Sequence, residues 1–301
     1  MSSDAVKIGT VVIQRKKPEW GPGKVVKLDG QRAYVVWRDL PDREAKLMVT
    51  AVLERAEDQS DSILDNLPPL AEVDGKMLLP KNRVTFNQAV DSFLARFPQG
   101  FDDPAFIGDG KTTGERLYKW AAHQFYEERL GEGKFGYLLN NEFPNLVHEI
   151  ERCVGKVNLL SIYEASAFRD ALRVESAARM FAQRLFDLLE SEEITEDVFV
   201  PYAESVCSLP AERGRVATWT VATIIPYLAQ PHRHMFLKPE TTKNAADALG
   251  FELNYRSEPN WLTYSSLLRM AEIYSRKLSH LKPRDLIDVQ SFFFVACGGY
   301  K

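Results

Sequence analysis

The hydrophobic period of this chain changes once, and that change limits what it can fold into. Between residues 5 and 56 short apolar runs alternate with polar and turn residues, as in Val6-Lys7-Ile8, Gly23-Lys24-Val25-Val26-Lys27-Leu28 and Ala33-Tyr34-Val35-Val36-Trp37. From about residue 86 the apolar residues recur every three to four positions, as in Phe86, Ala89, Val90, Phe93 and Leu94. Period two lines one face of a strand and period 3.6 one stripe of a helix, so one fold class cannot hold the whole chain.

The first stretch predicts several short strands. Leu28-Asp29-Gly30 carries the Asp-Gly signal of a tight hairpin, and Gly21 and Gly23 bend the backbone around Trp20. Strands this short and close predict a small SH3-like or Tudor-like β-barrel over residues 1–56. The segment is basic: 11 Lys and Arg against 7 Asp and Glu leave +4. The run Pro18-Glu19-Trp20-Gly21-Pro22-Gly23-Lys24-Val25-Val26, followed by Val35 and Trp37, resembles the small barrel appended to some bacterial DNA helicases. That resemblance implies a module that binds nucleic acid or a protein partner and does no chemistry; a purely structural hairpin module with Trp20 in its core is the alternative.

Residues 57–75 contain six acidic residues, no basic ones and a proline pair, a composition that predicts a solvated linker. The expected organisation is a barrel over 1–56, an acidic linker over 57–80 and a helical domain over 81–301. In the last, Thr112 or Thr113 is the expected cap of a long helix, the run from Thr218 to Ala229 is apolar enough to be buried, and Gly250 is placed to end a helix in the left-handed region.

Several chemistries lack their motifs. Cys153, Cys207 and Cys297 are far apart and odd in number, which argues for reduced thiols and against a zinc ribbon. No stretch approaches the ~18 apolar residues that span a bilayer, and no leader follows Met1, so a cytoplasmic protein without membrane contact is expected. Gly108-Asp109-Gly110-Lys111-Thr112 has the composition of a phosphate loop but not its spacing, and a helix start is the better reading. His232-Arg233-His234 has no evident third metal ligand and reads as basic loop surface. No metal or cofactor is predicted. Net charge is -4, so any nucleic-acid contact must come from local basic surface.

The most informative stretch runs from Leu209 to Phe251. Leu209-Pro210, then Gly214, then Trp219-Thr220, then Phe236-Leu237-Lys238-Pro239 and Glu240 follow one another in the order seen in helix-hairpin-helix DNA glycosylases, and the stretch resembles the alkylated-base branch of that family. The resemblance implies a mainly α, helix-hairpin-helix domain that binds double-stranded DNA and hydrolyses the bond between a modified base and its sugar, in repair or anti-phage defence. Glu240 then stands where the family carries its catalytic aspartate, with Lys238 beside it in the catalytic site; a phosphate contact or plain surface are the other readings of Lys238. A second register places His232 there instead. Arg213, Gly214, Arg215, Trp219, Thr220 and Lys243 would contact DNA, and Tyr255 and Trp261 would line a base pocket. Trp219 occupies the position of the lysine found in lyase-type members, which implies cleavage of the glycosidic bond alone. One glycine stands where the family's hairpin has two, the following loop is longer, and the acid is Glu.

The physics agrees with that chemistry. A turn before a helix presents N–H groups to a phosphate, an extruded base needs an aromatic pocket, and one carboxylate can stabilise a developing cationic sugar. From the residues alone, core is the better reading for Trp219 and Trp261, and an acid favoured by a helix N-terminus the better one for Glu240. Arg116, Lys119 and His123 share a helical face and predict a solvated, salt-bridged surface. Asp285 reads as a helix-start acid, and Asp288 as structural beside Gln290. A non-enzymatic DNA-binding or adaptor protein of a helicase or restriction-type complex, and a metal nuclease built on Asp102, Asp103 and Glu115, are the competing readings.

Overall fold

The computed structural model describes residues 6–40, 44–61, 63–67, 70–73, 75–79, 85–109, 114–211 and 214–297. The chain divides into two compact units: Met1–Arg96 with Lys243–Glu252 and Phe294–Lys301, and Phe97–Thr242 with Leu253–Phe293.

The first unit holds the strands β1 (Val11–Ile13), β2 (Gly23–Asp29), β3 (Arg32–Trp37), β4 (Lys46–Val49) and β5 (Glu54–Arg55). They form one antiparallel sheet in the order β4-β3-β2-β1-β5. Asp29 pairs with Arg32, so the predicted hairpin turns on Gly30 and Gln31, with Gly30 at φ +59°. The sheet curls but stays open between β4 and β5 among the described residues: a half-barrel stands where closure was expected.

Both faces of this sheet are covered. Val12, Val25, Ala33, Val35, Trp37 and Leu53 pack on one side, joined by the half-buried Trp20, whose ring centre is 5.5 Å from that of Trp37. Val11, Val36, Ala45, Leu64 and Leu79 pack on the other. Two of this second set belong to the supposed linker. Residues 57–80 are not a solvated spacer: Ile63, Leu64 and Leu79 are buried, and β6 (Ala71–Val73) pairs with β7 (Lys76–Leu78). The acids of the segment are positioned rather than merely hydrated. Asp65 meets Lys24 at 2.7 Å, Asp61 meets Arg38 at 3.0 Å and Glu72 meets Lys27 at 2.9 Å. The positive excess of residues 1–56 is therefore partly matched within its own unit.

Twelve α-helices follow among the described residues: α1 (Phe86–Arg96), α2 (Pro104–Ile107), α3 (Leu117–Leu130), α4 (Lys134–Asn141), α5 (Phe143–Gly155), α6 (Ile162–Leu172), α7 (Glu175–Glu190), α8 (Glu196–Cys207), α9 (Trp219–Ala229), α10 (Pro239–Leu249), α11 (Trp261–Lys277) and α12 (Leu286–Ala296). On α1 the predicted stripe holds, with Ala89, Val90 and Phe93 buried. Thr112 and Thr113 lie outside the described residues, and α3 starts later than expected, at Leu117. Gly250, at φ +70°, follows α10 as anticipated. In the second unit α9 is buried at every one of its eleven residues, as its sequence implied. The three cysteines are unpaired, and no described helix is long and apolar enough to cross a membrane.

Gly23 shows how closely the sheet is packed. A Cβ there would meet the Trp37 ring and a Val35 methyl at 2.6 Å, so Gly23→Ala forces the core apart. Overpacking of this kind costs about 1–3 kcal/mol. Urea unfolding followed by tryptophan fluorescence is expected to report that loss; an unchanged midpoint would show that the ring yields freely.

Candidate functional site

The turn between α8 and α9 is the hairpin singled out by sequence. Arg213 lies outside the described residues; Gly214 has φ +83°, and Arg215 is exposed. The turn leans on α6, since a Cβ at Gly214 would lie 3.4 Å from the Ala167 methyl and 3.8 Å from the Tyr163 carbonyl oxygen. At the start of α9 the Thr218 hydroxyl accepts the Val221 N–H, a helix cap of the usual kind.

Sequence reasoning missed a carboxylate at this point. Ser161 and Glu164 form a reciprocal cap on α6, and the same Glu164 accepts hydrogen bonds from the Thr218 hydroxyl at 3.0 Å and from the Thr220 hydroxyl. Burial opposes the Glu164 charge, but the bonds from Thr220, Ser161 and Thr218 outweigh it and hold the carboxyl below its ordinary value. One carboxylate thus ties the starts of α6 and α9 together. Thr220 is buried and spent on this bond, so it is not a DNA contact. The signal was the Ser161-x-x-Glu164 capping pattern, which marks a helix start.

Beside the hairpin, Ile162 and Tyr163 are 86% and 83% exposed. Two large exposed side chains in succession at the start of α6 are a feature that packing does not require.

Trp219 is core. It is fully buried, its indole N–H donates to the Arg256 carbonyl at 2.7 Å, and its ring stacks near Tyr264. Tyr264 in turn lies 4.2 Å from Phe199 in a stacked pair. Trp261 is half-buried against Phe199, and Tyr255 is half-buried as well. The two histidines of the His-x-His triplet part company. His232 is exposed, whereas His234 is fully buried, with Nδ1 2.9 Å from the Tyr264 hydroxyl and Nε2 without a hydrogen-bond partner. Burial, with Arg233 and His232 nearby, pushes the His234 pKa down to about 3.

The chain leaving α9 does not wander off. The Leu237 N–H donates to the Thr223 hydroxyl at 3.0 Å, and that hydroxyl donates to the Trp219 carbonyl at 2.7 Å. Residues 230–237 therefore run back toward the hairpin end of α9 before α10 begins. Lys238 and Glu240 are exposed there, Glu240 in the first turn of α10; Lys243, one turn on, is half-buried.

The face of Arg116, Lys119 and His123 is not solvated. Arg116 grips Asp285 with two nitrogens, at 2.7 and 2.8 Å, and Asp288 at 2.8 Å. Burial opposes its charge, yet the two aspartates leave its pKa raised. Lys119 is 1% exposed and bonds Gln290 and Ser291 at 2.8 Å, with Glu115 at 3.4 Å. His123 Nδ1 meets the Leu228 carbonyl at 2.7 Å. Asp285 also accepts the Ile287 N–H at the start of α12, the helix-start role read from sequence. The nuclease set disperses: Asp103 caps α2, Glu115 faces Lys119, and Asp102 is exposed. Among the described residues no three acidic, His or Cys side chains are grouped to hold a metal.

No protein-family model matches the chain, and searches of curated proteins and of solved structures find nothing similar to it.

Burial of Lys119 lowers its pKa from 10.5 to about 8 against the opposing pull of Glu115. Below about pH 8 both folded and unfolded chains carry the proton and the burial penalty is complete. Between about 8 and 10.5 the unfolded chain holds more protons, so this group makes stability rise with pH. The shift corresponds to roughly 3 kcal/mol. Cys153, whose thiol burial pushes up to about 12, acts in the opposite direction. The difference in unfolding free energy between the wild type and Lys119→Met isolates the lysine: it should climb across that window, and a flat difference would mean the ammonium is not desolvated.

Proposed function

We propose that the second unit binds double-stranded DNA through the turn between α8 and α9 and hydrolyses the bond between a base and its sugar, with Glu240 supplying the carboxylate. The supporting observation is the Leu237–Thr223 bond. Thr223 lies five residues from the cap Thr218, about 7.5 Å along the helix axis. Glu240 is three residues beyond Leu237, at most about 11 Å of chain. The bond brings the chain back to the first half of α9 before Glu240, which supports a reading in which the acid lies within reach of a duplex resting on the hairpin. Ile162 and Tyr163 are exposed at the start of α6, whose Tyr163 carbonyl lies near Gly214, and are suited to enter a base stack from which a nucleotide has been displaced. Arg215 offers a phosphate contact. The buried Trp219, where lyase-type members keep a lysine, leaves no amine there to attack the sugar.

A second reading is DNA binding without chemistry, and the exposure of Glu240 favours it, because a carboxylate in water stabilises a cationic sugar poorly. For the first unit we infer a half-barrel of SH3 or Tudor type that holds a protein partner. Lys24, Lys27 and Arg38 are already paired, while Leu47 and Val49 stand exposed along the edge strand β4.

Incubating duplexes that carry alkylated, deaminated or phage-type modified bases, then cleaving abasic sites with alkali, tests the chemistry. Strand breaks are expected for one modification, falling about 10²–10³-fold in Glu240→Gln while DNA binding persists. Binding that survives without any product across the panel would select the second reading.

A further inference from the structure

A cleft of about 460 Å³ opens at the far end of α9 from the hairpin, where the α9–α10 connection meets the end of α11 and the start of α12. Its lining is strongly basic for a chain of net charge -4: His232, Arg276, Lys282 and Arg284 contribute to its walls. The one carboxylate of the lining, Asp285, is already held by two nitrogens of Arg116 and by the start of α12. Ser275 and Ser279 add hydroxyls. A second cleft of the same unit, lined by Glu127, Glu132 and Glu190, has the opposite sign, so positive lining is a local property and not a general one.

The basic cleft is built from the inside. Asp288 is fully buried and accepts both the backbone N–H and the Nε of Arg284 at 2.9 Å. Arg284 Nη2 donates to the Phe101 carbonyl. Two of the three guanidinium nitrogens are thereby fixed, and the planar group is held before any ligand arrives, which lowers the entropy lost on binding. Asp288 also takes a bond from Arg116, so this carboxylate is shared between a buried and a lining arginine. Lys282 sits at φ +55°, a backbone conformation that a lysine rarely adopts, in the turn after α11.

We propose that this cleft binds the phosphate group of a nucleotide. Arg276 is paired with Glu272 along α11, which leaves Lys282 beside the fixed guanidinium of Arg284 as the cationic pair of the cleft, a pair that suits a phosphate with several acceptor oxygens. The volume lies in the range of small-molecule sites and leaves room for more than the phosphate itself. The phosphate can be carried by a free nucleoside monophosphate or by the end of a DNA strand; the chemistry recognised is the same. The site uses neither Glu240 nor any residue of the hairpin; it shares only His232 with the second register considered from sequence, and the length of α9, about 16 Å of helix, separates it from the hairpin end.

Calorimetric titration of the full chain tests this with three probes: inorganic phosphate, deoxyadenosine 5′-monophosphate, and a short oligothymidylate with and without a 5′-phosphate. Binding of the monophosphate, displaced by inorganic phosphate, identifies a free nucleotide; binding only of the phosphorylated strand identifies a strand end. In either case the double variant Lys282→Gly with Arg276→Gln should weaken binding about tenfold or more. Glycine is at ease at positive φ, and Arg276→Gln gives up only an exposed ion pair with Glu272 along α11, so this variant keeps its fold, which its thermal unfolding verifies. No binding of any probe, or equal binding by wild type and double variant, overturns the proposal. Arg215→Ala, which removes a hairpin charge, should leave monophosphate binding unchanged while weakening duplex binding, so failure here and failure of the hairpin reading give different results.

Discussion

The second unit is organised by a helix that has no outside. Every residue of α9 is buried, so every group that leaves or meets it must be satisfied by protein. Its carbonyls recruit distant side chains: the Tyr202 hydroxyl bonds Ala222 at 2.8 Å, and His123 bonds Leu228 at 2.7 Å. Thr223 bonds its own helix and also captures Leu237. A buried helix of this kind converts a loose connection into a fixed one, because an unpaired N–H at Leu237 would cost about 1–3 kcal/mol. The bond holds the chain at Leu237, two residues before α10 and its first-turn Glu240 begin.

Charges surround this apolar centre in an arrangement that stability alone does not explain. Taking Arg116, Asp288 and Lys119 out of water is expensive, and a well-packed apolar set of the same volume is often as stable or more so. What the ionic set supplies is direction. Asp288 fixes Arg284, Asp285 starts α12, and Gln290 and Ser291 receive Lys119. A basic cleft whose arginine is held from behind by a buried carboxylate is one consequence; an apolar core would leave that guanidinium free to sample many rotamers.

Much of this was legible in the sequence, and the rest was hidden for identifiable reasons. The switch from period two to period 3.6, the turn at Gly30, the burial of α9 and the cap at Gly250 are local, and local patterns carry them. The acidic stretch misled because six charges outweighed three sparse apolar residues, Ile63, Leu64 and Leu79; the acids were there to meet Lys24, Lys27 and Arg38 across the sheet. Arg116 and Lys119 misled for a different reason. Spacing along a helix says which residues share a face, not what covers it, and the covering aspartates lie 169 and 172 residues away. Closure of the barrel could not be read either, since it depends on whether β4 and β5 meet.

Glu164 is the residue that most changes the physical picture of the hairpin. A helix start ordinarily attracts anions because its N–H groups and dipole point outward. Here a carboxylate bonded to Thr218 and Thr220 already occupies the neighbourhood of that positive end. A phosphate arriving at the start of α9 would meet like charge, so the hairpin cannot rely on the dipole as a glycine-rich turn does. On the proposed reading, DNA would be held by the turn before the cap, through Gly214 and Arg215, and by the exposed Ile162 and Tyr163, whose contacts carry no charge and are insensitive to salt. Such a surface would favour DNA that is already distorted over an intact duplex. Insertion of apolar side chains costs less where bases are mispaired or damaged, and little phosphate attraction remains to hold an undamaged stack.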